Sequence, residues 1–153
     1  MLVVTEIAAN DDLQRLVAEI NQAVWDDAND MSEFSLEALR TYLERPDTLF
    51  VACHDVVEGN RTLLGIASSR LEMKPYDEAL WLYVDEVDVC ADQRRRGAGK
   101  AIMQKLIACA RNAGCEEVWL GTEPDNQAAN ALYQSLEPDE IESFVGYTYV
   151  TRD

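Results

Sequence analysis

Histidine is almost missing from this chain of 153 residues: His54 is the only one. A zinc site or a histidine-based dyad would have to start from it. The four cysteines, Cys53, Cys90, Cys109 and Cys115, are scattered and form no C-x-x-C pair. Together these absences remove the usual spaced ligand sets, so no metal is expected. His54 follows an apolar run and reads as a solvated or satisfied histidine. Positive charge is also scarce. There are 13 Lys and Arg against 29 Asp and Glu, and the net charge is -16. Such a field repels phosphate backbones and anionic headgroups, which argues against nucleic acid and membrane surfaces as partners. It favours a cationic partner. No run approaches the ~18 apolar residues of a membrane span. Residues 1–10 show no basic segment leading into a long apolar stretch, so no secretory signal is expected in them. Unpaired thiols point to a reducing cytoplasm.

What is present suits a folded domain. Hydrophobic residues make up 48% and charged residues 27%, which excludes a disordered or fibrous chain. No repeat and no Ser/Pro/Gly-rich linker interrupts the sequence, so residues 1–153 are expected to form a single domain.

Residues 2–7 read as a strand. Leu13, Leu16, Val17, Ile20 and Val24 then recur at helical spacing behind Asn10 or Asp11 as the cap. An acidic stretch follows: Asp26, Asp27, Asp30 and Glu33. Ser35 caps a second helix bearing Leu36, Leu39 and Leu43, and Pro46 ends it. Strands over 49–53 and 63–70 meet through Glu58-Gly59-Asn60.

Residues 80–90 form a long strand with a phase change. Leu82 and Val84 share one parity, and Val87 and Val89 the other. A one-residue bulge near Asp85 and Glu86 would bring all four to one face. A strand with both faces covered is the alternative, which Trp81 and Tyr83 support. Next come a helix with Ile102, Met103, Leu106, Ile107 and Ala110 on one stripe, stopped by Gly114, and a short strand over 118–121. This order predicts a crossover between parallel neighbours. A last helix over 126–136 halts at Pro138, and 144–150 alternates as a closing strand.

The most specific segment is Gln93-Arg94-Arg95-Arg96-Gly97-Ala98-Gly99-Lys100. It joins a strand to a helix. Glycines let the backbone turn tightly, so successive N–H groups point into one concavity that the helix N-terminus makes positive. Three consecutive arginines in so acidic a chain imply an anion, and a diphosphate fits. The Walker spacing and the dinucleotide fingerprint are both absent.

Arg94-x-x-Gly97-x-Gly99 and the downstream Asn126-x-x-Ala129-x-x-Leu132-Tyr133 resemble the two signatures of the GNAT superfamily of acyl-CoA-dependent N-acyltransferases. The element order fits as well. Residues 82–99 and 120–133 are most similar to the aminoglycoside 3-N-acetyltransferase-like branch. One position departs. The family usually has a Gly-Phe pair where this chain has Glu137-Pro138, which bears on the turn after the last helix.

The resemblance implies an α+β fold. Its sheet would be mixed, mostly antiparallel and six- to seven-stranded, with about four helices on both faces. A central parallel pair would splay around CoA. It implies acetyl-CoA as cosubstrate, with the pantetheine amides on Val87, Asp88 and Val89. The diphosphate would lie on the Arg95, Arg96, Gly97, Ala98, Gly99 and Lys100 backbone, with Arg94, Arg95 and Arg96 adding side-chain charge. Asn126, Ala129 and Tyr133 would complete the cofactor site. Glu86 at the bulge would be the base, with Glu123 and Asp88 as alternatives, and Tyr133 would protonate the leaving thiolate. Asn126 can equally be only a helix cap. Asp26, Asp27, Asp30 and Glu33 would form part of the acceptor wall.

The reading is therefore an N-acetyltransferase acting on a primary amine of a small aminoglycoside- or polyamine-like cation. The alternatives are a protein N-terminal or lysine acetyltransferase and a non-catalytic CoA-binding sensor. The family is often dimeric, so a homodimer is possible. The acidic, lysine-poor surface also suits a salt-adapted cytoplasm.

Overall fold

A computed structural model describes residues 1–153. The chain divides into two units, Met1–Gly121 and Thr122–Asp153, and each is taken by itself.

The first unit is built on a sheet of five strands in the order β1-β2-β3-β4-β5. Strands β1 (Leu2–Glu6), β2 (Thr48–Val57), β3 (Asn60–Met73) and β4 (Leu80–Val89) run antiparallel in succession. β5 (Glu117–Trp119) pairs parallel with β4. Helices α1 (Leu13–Gln22) and α2 (Leu36–Glu44) precede β2, and α3 (Ala98–Asn112) joins β4 to β5. The class agrees with the expected mixed, mostly antiparallel α+β fold.

Local chemistry accounts for the boundaries. Asp12, rather than Asn10 or Asp11, caps α1 by accepting from the Arg15 N–H at 3.2 Å. Ser35 caps α2 by accepting from the Ala38 N–H at 3.0 Å, as expected. The phase change in β4 is a bulge at Asp85: Ser69 pairs with Val84 and Ser68 with Glu86. Leu71, Ser69, Ala67 and Gly65 alternate along β3, so their partners Leu82, Val84, Val87 and Val89 share one face. α3 covers that face. A Cβ on Gly65 would stand 3.0 Å from Ile102 Cδ1 and 2.7 Å from the Asp88 carbonyl, so only glycine admits α3 this close.

The opposite face carries Phe50, Ala52, Ile66 and Cys90, packed with Leu13, Leu16 and Ile20 of α1 and Leu39 of α2. His54 is buried on this side and satisfied by Glu19 of α1 at 3.1 Å. Glu19 also holds Arg61. All four cysteines are free thiols.

The second unit contains α4 (Gln127–Ser135), capped by Asn126, whose side chain accepts from the Ala129 N–H at 3.1 Å. Here one expectation is corrected. Residues 144–150 form no strand, and the sheet has five strands rather than six or seven. Alternation sets the side-chain pattern of a strand, but a strand also needs a ladder partner. The second unit supplies none, since α4 is its one regular element. No helix in the chain is long and apolar enough to cross a membrane.

Candidate active site

The site is organised by β4. Its parallel pairing with β5 covers Trp81, Leu82 and Tyr83 only. From Val84 to Val89 the β5 side of β4 has no ladder partner, although β3 stays paired along the other edge. β5 ends at Trp119, so the later half of β4 is left with one open edge. Free amide and carbonyl groups on that edge of β4 can pair with an extended chain carrying amides.

A single 3₁₀ turn, Ala91–Gln93, leads from β4 into the arginine–glycine loop. Arg95 and Gly97 both adopt left-handed backbone, with φ of 65° and 83°. Gly97 is the N-cap of α3 and offers no side-chain bond to it. The first-turn N–H groups of α3 therefore remain open to an outside acceptor. The nearest heavy atom to a Cβ on Gly97 would be Leu2 Cδ1 at 3.9 Å, so its glycine is required by conformation and not by crowding. Ala98 is buried, and Lys100 points outward from the first turn. This loop fits a diphosphate through its backbone.

Two of the three arginine side chains, those of Arg94 and Arg96, are already engaged. Arg94 Nη1 donates to Asp26 Oδ2 at 2.5 Å, and Arg94 Nη2 reaches Asn29 Oδ1 at 3.4 Å. Arg96 pairs with Asp55 and donates to Gln93 Oε1 at 2.6 Å. Asp26 therefore serves the loop rather than the pocket. The Arg94 guanidinium holds its carboxyl below the usual carboxylate range.

Asp26 also starts a 3₁₀ turn, Asp27–Asn29, through a reciprocal cap. Its side chain accepts from the Ala28 N–H, and its own N–H donates to Asn29 Oδ1, both at 3.0 Å. Asp27 is exposed. Asn29 is buried, and its Nδ2 donates to Asp88 Oδ1 at 3.1 Å and to the Val89 carbonyl at 3.4 Å. Asn29 thus fastens the acidic loop to the end of β4. Sequence reasoning passed over it; the trace it leaves is the Asp26-x-x-Asn29 capping pattern.

Beyond this anchor the loop and α2 enclose a pocket of about 380 Å³. Asp30, Glu33 and Glu86 bring carboxylates to its wall, while Phe34, Leu39, Tyr42 and Phe50 supply its apolar lining. Tyr42 and Ser68 also line it, and neither has a motif to mark it in the sequence. Glu86 and Asp88 stand on the same face of β4 after the bulge, opposite Ser68 and Ile66. Partial burial and the neighbouring Asp88 raise the Glu86 pKa. Burial raises that of Asp88, which the Asn29 amide partly offsets. Val87 and Val89 face α3, so only their backbones can serve the open edge of β4.

In the second unit, Tyr133 is half-buried on α4 and Ala129 lies one turn earlier. Glu123 is exposed ahead of the helix, and its carbonyl accepts from Asn130 Nδ2 at 3.0 Å. The Asn126 side chain is spent on the helix cap. No three His, Cys, Asp or Glu side chains converge on a metal position.

Comparison with known proteins places this geometry. In fold, the chain matches an aminoglycoside acetyltransferase from an uncultured soil metagenomic sample, solved in complex with sisomicin. The TM-score is 0.82 and the identity 21%, covering 99% of this chain and 97% of that one. It also matches AAC(6')-Iy, solved with a bisubstrate analog, CoA-S-monomethyl-acetylneamine, at TM-score 0.72 and 18% identity over 98% and 99% of the two chains. N-acetyltransferase family 8 member 3 of Mus musculus is 32% identical over 114 residues, 74% of this chain and 48% of that protein. The chain therefore spans about half the length of the curated relatives it matches. The profile of the acetyltransferase (GNAT) family matches residues 10–137, and with that match, the short parallel β4–β5 pair and the arginine–glycine loop, the chain belongs to the GNAT acetyltransferase family.

Proposed function

We propose that this protein transfers the acetyl group of acetyl-CoA to a primary amine of a small cationic acceptor, aminoglycoside- or polyamine-like. The observation that carries the reading is the position of Glu86. It sits in the stretch of β4 beyond the end of β5 and also lines a pocket with Asp30 and Glu33. A carboxylate-walled pocket thus opens beside the place where a thioester arm would lie. The family profile crosses both units, which supports one acetyltransferase domain over residues 1–153.

Bound acetyl-CoA supplies an activated acetyl group. The backbone of Arg95, Arg96, Gly97, Ala98, Gly99 and Lys100 would hold its diphosphate, and the free edge of β4 at Val87, Asp88 and Val89 would hold its amides. Asp30 and Glu33 attract the ammonium form of the acceptor. An ammonium has no lone pair to attack with, so Glu86 takes its proton. Backbone N–H groups of β4 polarise the carbonyl as the C–N bond forms. When the C–S bond breaks, the Tyr133 hydroxyl gives a proton to the sulfur and is restored by the proton that the new amide nitrogen sheds. Asn126 and Ala129 place the helix that carries it. Glu123 is the alternative base from the second unit.

The free thiols support a cytoplasmic setting. The exposed Phe144, Val145, Tyr147, Tyr149 and Val150 support association with a second copy. Sedimentation at micromolar concentration tests this, with a monomer counting against it.

The deciding experiment measures free thiol released from acetyl-CoA over a panel of amines: aminoglycosides, polyamines, lysine peptides and peptide N-termini. Release with the first two and not with peptides supports the proposal. Release with peptides alone points to a protein acetyltransferase, and cofactor binding without release on any amine points to a sensor. Glu86→Gln is expected to cut kcat by roughly a hundredfold, the lower range for a general base.

A further inference from the structure

We infer that Asp88, held by the Asn29 side chain, is a positioning residue that shares a proton with Glu86 and thereby sets the pH range in which Glu86 acts as a base. This rests on the reading of Glu86 as the base and goes one residue behind it.

The bulge at Asp85 puts the two carboxyls two positions apart on one face of β4, within hydrogen-bonding reach of each other. Two carboxyls can hydrogen-bond only if a proton lies between them. Asp88 is 6% exposed and sits at the back, whereas Glu86 opens onto the pocket. The Asn29 amide donates to Asp88 Oδ1 at 3.1 Å, which favours negative charge on Asp88. When the pair holds one proton, Glu86 therefore carries it.

The remaining surroundings push the same way. Asp30 and Glu33 face Glu86 from the loop, Tyr42 from α2 and Ser68 from β3. Asp85 precedes it on β4 and is paired with Arg70 of β3. Arg94 approaches Asn29, but its ion pair is with Asp26. Asp88, Asp30 and Asp85 all raise the proton affinity of Glu86. A carboxylate made more basic is a better match to an ammonium than an ordinary glutamate is. The cost is that Glu86 works only above the pH at which the shared proton leaves. In the forward step Glu86 accepts one proton from the ammonium, the proton bridges to Asp88, and the pocket mouth returns it to water.

The test is the pH profile of kcat at saturating acetyl-CoA and acceptor for the wild type, Asp88→Asn and Glu86→Gln. Asp88→Asn is expected to move the acid limb down by about one pH unit, because it removes the neighbouring charge. A limb unmoved in Asp88→Asn but lost in Glu86→Gln overturns the inference and leaves Glu86 as the base. A limb kept in Glu86→Gln overturns the base assignment and the inference with it. Should Asp88→Asn not fold, carboxyl-carbon NMR titration of the wild type decides. Glu86 and Asp88 following the same two apparent pKa values supports the shared proton. Two independent single-step titrations overturn it.

Discussion

Asp26 and Arg94 stand 68 positions apart in sequence and 2.5 Å apart in space, and their ion pair joins the acidic loop to the arginine–glycine loop. Arg94 lowers the Asp26 pKa, so the pair stabilises the folded state above the ordinary aspartate pKa near ~3.9. That contribution is lost as pH falls through the folded-state value. Asp26→Asn is therefore expected to lower the melting temperature at pH 7 and to have progressively less effect toward pH 3. A stability difference independent of pH would remove the pair from this role.

Gly97→Asp tests the diphosphate loop. The Cβ itself meets nothing closer than 3.9 Å, so crowding is not the mechanism. The left-handed φ and the added negative charge act instead. Acetyl-CoA affinity is expected to fall by roughly tenfold or more, and by less in Gly97→Ala, where strain acts alone at about 1–2 kcal/mol. Equal affinities in calorimetry would sink the loop assignment.

Tyr133→Phe removes one hydroxyl from α4. If that hydroxyl protonates the leaving sulfur, kcat drops by roughly tenfold to a hundredfold while the acetyl-CoA Kd holds. A donor with a poorer thiol leaving group should suffer more. Full turnover in the variant would return Tyr133 to a packing role.

Glu137 follows the C-cap of α4 with φ of 55°, a left-handed residue where helices favour glycine. This is the position at which the chain departs from the family's Gly-Phe pair. Glu137→Gly is expected to stabilise the second unit by about 0.5–1 kcal/mol, since relief of the left-handed strain outweighs the extra freedom of the unfolded chain. Amide exchange along α4 measures it. Unchanged or faster exchange would show that Glu137 gains more from its side chain than it loses.

Local signals were readable where one residue decides the outcome. Ser35, Gly114 and the parity switch around Asp85 each announced a feature that the structure contains. The arginine–glycine loop was legible because its motif and its geometry are the same few residues. The pocket side was not. Asp26 looked like pocket wall, yet its partner is an arginine far along the chain. Asn29 occupies a polar loop with no period to mark it, and its value comes from Asp88, 59 positions away. The stretch 144–150 has the alternation of a strand but no ladder partner in its own unit. Contacts between distant segments carry these outcomes, and a single sequence does not print them.

Asp85 works as a counter. Every residue of β4 after it is shifted by one step against the pleat, which gives the valines to one layer and the carboxylates to the other. The chemistry of the strand therefore depends on how many residues it has as well as on which ones. Drawing Asp85 into regular pairing would leave composition unchanged yet turn Glu86 and Asp88 toward α3 and the valines toward the pocket, whereas deleting Asp85 would remove the extra residue and keep both sets on their present faces. Point substitutions in this strand alter the protein by degrees; losing the bulge while keeping all its residues would exchange its inside for its outer surface.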